Sequence, residues 1–136
     1  MFLGEHFHTL DEKGRLVLPA KFRSLLSGGC VVTRGRDANL VVFPSELFET
    51  QAQAVRERLE QGRVGRAEAR TFFGGADAIE PDKQGRLTLR AELREYASLV
   101  KDVVVVGMGD RCEVWASDRF LSARELGTRM YLEEEG

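Results

Sequence analysis

Cysteine is almost missing from this chain. The 136 residues include only Cys30 and Cys112, and these sit in no CxxC pair. A disulfide between them is not expected, because cytosolic thiols stay reduced. Long apolar runs are missing too. The longest, Val103–Val106 with its neighbours, is far too short to span a bilayer. The N-terminus lacks the basic flank and long apolar core of a signal peptide. Together these absences point to a cytoplasmic protein with no membrane partner. There is no GxGxxG string and no P-loop, so no cofactor is expected. Nor is there a large excess of one charge. The net charge is −2, which does not announce a nucleic-acid binder, so any anion-binding surface must be local and made by geometry.

The chain has the length of one ordinary domain. Hydrophobic content of 43% can fill a core, and charged content of 31% keeps it soluble. Residues 1–50 hold six acids and six bases; residues 51–76 hold three acids and five bases. The acid excess comes late, with thirteen acids against nine bases in residues 77–136.

The informative feature is a repeat. "LDEKGRLVLPAKFR" at 10–23 returns as "PDKQGRLTLRAELR" at 81–94, an offset of 71 positions. Asp11-Glu12-Lys13-Gly14 and Asp82-Lys83-Gln84-Gly85 suit a type I turn closed by a left-handed glycine. Gly14 and Gly85 are the turn glycines. Arg15-Leu16-Val17-Leu18 and Arg86-Leu87-Thr88-Leu89 follow as strands with one apolar face. Strands around 5–10 and 76–80 precede the turns, so each DxxGR string reads as a hairpin tip. Asp and Arg four apart then face each other at the base of the loop. The plain reading is a clasp for a tight turn, worth about 0.2–1 kcal/mol. The sharper reading adds that Asp11 and Asp82 pre-orient Arg15 and Arg86. Such a guanidinium matches phosphate or guanine bidentately. Lys13 and Lys83 put a base on each turn, and Arg23 and Arg94 extend the basic face.

The copies continue in step. A short helix with Pro19 in its first turn is matched by Arg90–Tyr96. Strand Cys30–Thr33 is answered by Val103–Val106, and Leu40–Phe43 by Cys112–Trp115, where the offset has become 72. Phe43 and Trp115 are expected in the core. Ser45 and Ser117 are expected N-caps. Between the halves, Phe48, Ala52, Val55 and Leu59 recur at helical spacing. A second helix is expected over 65–73, carrying Arg63, Arg66 and Arg70 as a solvated face or a subunit contact. Gly74-Gly75 reads as a helix stop. The division expected is a first half-unit at 1–48, a helical connector at 49–75, a second half-unit at 76–120, and a C-terminal helix with acidic tail at 121–136.

Several strings resemble the MraZ family of bacterial regulators, end to end: "MFLGE", "LDEKGRLVLPAKFR", "FFGGA", "DKQGRLTL" and "LREYASLVKDVVVVGMGDRCEVW". The resemblance implies an α+β, β-rich fold of the SpoVT/AbrB type. Two tandem swapped-hairpin half-units would form one interlocked barrel, with helices between the halves. It implies a DNA-binding transcriptional regulator of a division and cell-wall gene cluster, located at the nucleoid. The implied partners are double-stranded promoter DNA with repeats and further copies of the chain in a ring-shaped homo-oligomer. The family's DxxxR positions fall on Asp11 and Arg15, and on Asp82 and Arg86. Two departures stand out: Arg90 where the first copy has Pro19, and Pro81 before Asp82.

Other chemistry has thin support. His6 and His8 share a strand face, but two ligands are too few for a closed zinc site. Cys30 and Cys112 lie in apparent core strands, where a thiol behaves as a small apolar group. An enzyme holding a phosphorylated small molecule at Arg15 and Arg86 would need a general acid or base, and none is recognisable beside them. A ring-forming protein scaffold without nucleic acid is the remaining alternative.

Overall fold

The computed structural model describes residues 1–134. Glu135, the last acid of the expected tail, lies outside the described residues. In chain order, β1 is Glu5–Thr9, β2 Arg15–Val17, α1 Ala20–Leu25, β3 Cys30–Arg34 and β4 Leu40–Pro44. Next come α2, Ser45–Glu60, which begins before residue 49, and α3, Arg66–Gly74. The second copy gives β5 Asp77–Ile79, β6 Arg86–Thr88, α4 Ala91–Tyr96, β7 Asp102–Gly107 and β8 Cys112–Ala116, followed by α5, Ser117–Glu133. The fold is α+β and strand-rich, as the sequence predicts.

The repeat does not fold as two separate units. β1 of the first half pairs with β7 of the second, and β5 of the second pairs with β3 of the first, both antiparallel. β4 pairs with β8, giving a six-stranded sheet in the order β1-β7-β8-β4-β3-β5. β2 and β6 leave that sheet and pair with each other as a two-stranded ribbon. The expected hairpins are therefore very short. The first Asp-x-x-Gly turn closes over one isolated bridge, Leu10 to Leu16, after which its arms part toward the other half. The ribbon has one apolar face and one outward face. Leu16 and Leu87 are fully buried under the ribbon, while Arg15, Val17, Arg86 and Thr88 lie on its other face.

One core serves both halves. Leu16, Leu18, Phe22 and Leu26 pack in the same cluster as Leu87, Leu89, Leu93 and Ala97. Cys30 and Cys112 are free, buried thiols of that core. Burial pushes the Cys30 thiol up to about 12, with a smaller push from the charge of Asp77. It pushes Cys112 up as well, with Cys30 the next cause. Phe43 and Trp115 are 3% and 8% exposed, the core positions expected of them. Trp115 packs edge-on to Phe120 in a satellite cluster with Val104. α2 and α3 cover β3 and β4 through a phenylalanine cluster in which Phe48 stacks on Phe72 at 5.5 Å. Among the described residues no helix is long and apolar enough to cross a membrane.

One local expectation is corrected. Ser45 and Ser117 are the first helical residues, not the caps. Pro44 and Ala116 hold the cap positions, and no side chain caps either helix. Pro44 fixes φ at −53°, close to the helical value, while its ψ of 142° is still extended. Arg90, where the first copy has Pro19, does not spoil its helix start. Both residues take the same cap backbone, φ −61° and −53°. Arg90 also donates to the Gly75 carbonyl at 3.3 Å.

The pairing register refines the repeat. His8 pairs with Val103 as Ile79 pairs with Cys30, so Cys30 corresponds to Val103 at an offset of 73. Pro44 and Ala116, their partners on the next strands, correspond at 72. The path from the end of α4 to Val103 is thus two residues longer than that from the end of α1 to Cys30. The following turn is one residue shorter.

Candidate nucleic-acid interface

Each turn is built by its aspartate. Asp11 Oδ1 accepts from the Lys13 and Arg15 backbone N–H groups, both at 2.9 Å. Asp82 Oδ1 accepts from Gln84 and Arg86 in the same geometry, again at 2.9 Å. Gly14 N–H donates back to the Asp11 carbonyl at 3.0 Å, and Gly85 to Asp82 at 2.9 Å. Gly14 and Gly85 sit at φ +72° and +74°, the left-handed region that glycine enters freely. The second carboxylate oxygen holds the arginine: Arg15 Nε donates to Asp11 Oδ2 at 2.5 Å and Arg86 Nε to Asp82 Oδ2 at 2.8 Å. Both carboxyls are held below the usual carboxylate range, first by the backbone N–H of the arginine they clasp. Each clasp uses only Nε, so the terminal guanidinium nitrogens stay available for a ligand.

The exchange of strands brings the two arginines onto one ribbon. In the ribbon Arg15 pairs with Thr88 and Val17 with Arg86. Arg15 and Arg86 are therefore diagonal neighbours on its outward face, a separation of about 7–8 Å in such pairs. The turns lie at opposite ends of the ribbon, linked by Leu18 N–H to the Gly85 carbonyl at 2.9 Å and Leu89 N–H to Gly14 at 3.0 Å. Lys13 and Lys83 are both exposed, but at different places. Lys13 is the third residue of its turn and Lys83 the second, so Gln84 answers Lys13.

Arg23 and Arg94 belong to this face in a way the repeat did not show. The Arg94 guanidinium lies against Gly14, the turn glycine of the other half, and Arg23 lies against Gly85. Each is anchored through Nε to a ribbon carbonyl, Arg94 to Leu89 at 3.0 Å and Arg23 to Leu18 at 3.3 Å. Each turn is thus flanked by a cation from the opposite half. The matched positions of Arg23 and Arg94 were legible. The crossing follows only from the strand exchange.

The other singled-out residues lie elsewhere. Arg63, Arg66 and Arg70 are exposed on the connector. α3 ends at Gly74 with Gly75 as its C-cap. His6 faces the Leu3 carbonyl at 3.0 Å, and burial holds His8 below the usual histidine range, with His6 adding to the effect. Among the described residues no group of three or more His, Cys, Asp and Glu is placed to hold a metal.

A protein-family model described as "MraZ protein, putative antitoxin-like" matches residues 1–66 and 72–125. A protein of Saccharopolyspora erythraea named "Transcriptional regulator MraZ" is 49% identical over 120 residues, covering 88% of this chain and 84% of that one. A protein of the same name from Salinispora tropica is 49% identical over 115 residues, 85% of this chain and 81% of the relative. Another, from Clavibacter michiganensis subsp. michiganensis, is 44% identical over 128 residues, 92% and 90% of the two chains. With nearly the whole chain matched, both turns included, this protein belongs to the MraZ family.

Proposed function

We propose that the chain is a sequence-specific DNA-binding transcriptional regulator of a division and cell-wall gene cluster. It contacts promoter repeats through Arg15 and Arg86, acts without enzymatic chemistry, and assembles as a ring-shaped homo-oligomer. The observation that carries the reading is the β2–β6 ribbon, with two aspartate-held arginines side by side on its outward face. A two-stranded ribbon fits the major groove, where arginine pairs bidentately with guanine. The names of the relatives support the regulatory role. Lys13, Lys83, Arg23 and Arg94 surround the arginines as phosphate contacts.

One titration tests this reading. The native protein, Arg15→Ala and Arg86→Ala are measured against promoter duplexes with one, two and three repeats at several salt concentrations. Each substitution should weaken binding by about 1–3 kcal/mol with an unchanged circular dichroism spectrum. If ~4 phosphates are neutralised per subunit, the log–log salt slope on one repeat is about −3.6. A ring engages further repeats intramolecularly, so affinity should rise by about 10²–10⁴ and the slope should steepen. Normal binding by both alanine variants would overturn the site. Equal affinity on all three duplexes would overturn the multivalent assembly.

A further inference from the structure

The first turn has a wall that the second turn lacks. The longer α4–β7 connection lies against it, and Val100 and Lys101 line an open groove of about 590 Å³ together with Asp11, Lys13 and Arg15. The connection is built to stand out. Ser98 takes a left-handed φ of +55°. Leu99 is buried, and its N–H donates to the Arg94 carbonyl at 2.9 Å. Val100 is left 86% exposed. The first turn is tied to this wall by the Leu10 N–H, which donates to the Lys101 carbonyl at 2.8 Å. The second turn has no counterpart. Pro81 stands at the position of Leu10 and has no N–H to give. At the offset of 73, Val100 and Lys101 fall on Ser27 and Gly28, so no cation stands at the matching place.

The charge of Lys101 is available. It is exposed, and among the described residues no carboxylate lies within 4 Å of its amine. Glu12 lines the same groove and offsets part of the field, but Lys13, Arg15 and Lys101 outnumber it and Asp11. The groove is continuous with the outward face of Arg15. We propose that it holds one additional DNA phosphodiester, contacted by Lys101, so that the first turn grips the backbone where the second does not. This rests on the reading of the turns as DNA contacts.

The test uses the full chain and a duplex enriched by the native protein from a randomised library. Lys101→Ala should weaken binding about 3–10-fold and flatten the salt slope by about 0.9 per bound subunit. Lys101→Arg, which keeps the charge, should bind as the native protein does. In double-substitution cycles Lys101→Ala should couple to Arg15→Ala and add independently to Arg86→Ala. If the two arginine variants bind poorly while Lys101→Ala changes neither affinity nor slope, the phosphate contact is refuted and the reading of the turns survives. Equal coupling of Lys101 to both arginines also refutes it. If neither arginine variant weakens binding, the reading of the turns fails and this contact fails with it.

Discussion

Asp11 and Asp82 each do two jobs with two oxygens: Oδ1 shapes the turn and Oδ2 holds the arginine. Both functions require the ionised carboxylate. Its folded-state affinity for a proton is lowered below the ordinary value of 3.8. The stabilisation is therefore complete above 3.8 and is lost as pH falls through the lower folded value. The Lys13, Arg15, Gln84 and Arg86 amide resonances should hold steady from neutral pH down to the ordinary carboxylate range, then shift on further acidification. A midpoint at or above 3.8 would show that the carboxylates are not engaged as described. This much of the site was legible, because Asp, Gly and Arg at fixed spacing encode their own local bonds. The place of Lys101 was not. Its role depends on a path two residues longer than its counterpart and on an amide that a proline removes in the other copy. Neither is visible until the register of distant strands is known.

At the scale of elements, the ribbon is the part most dependent on packing. β2 and β6 are three residues each and form a sheet of two strands, with one bridge from Leu16 to Leu10 besides. An isolated pair of that size is not stable in water. Leu16 and Leu87, both fully buried, hold it on the core. Leu16→Ala or Leu87→Ala should cost about 2–5 kcal/mol in urea unfolding. Protection of the ribbon amides from hydrogen exchange should fall in parallel. A loss below about 0.5 kcal/mol would mean that the ribbon is held by something other than its buried face. The sequence announced these strands through alternation, and the helices through spacing and the glycine stop. It could not announce that the arms of each hairpin part just beyond the turn, because alternation reports which face is buried and not which strand lies alongside. The serine caps failed for a local reason: Pro44 and Ala116 occupy those positions.

For the whole molecule, the exchanged strands make each half incomplete. Without the second half, β1 loses β7, β2 loses β6 and β4 loses β8. The shared core loses Leu87, Leu89 and Leu93. A fragment of residues 1–48 should be unfolded, or should associate with itself to restore the missing pairings. A monomeric fragment that melts cooperatively would contradict this account. Chromatography with light scattering and thermal melts decides between them. The shared core was foreseeable from the repeat, since a unit with so few strands cannot cover its apolar face alone.

The link between the halves has a consequence for direction. Two identical chains exchanging strands would form a body whose two turns are interchangeable, and every substitution would appear in both. One continuous chain lets the copies drift apart. Here they have done so at Pro81, at Gln84 opposite Lys13, and at the connections beside the turns. The ribbon consequently has a head and a tail. A DNA site read by such a ribbon is expected to carry an arrow rather than to mirror itself.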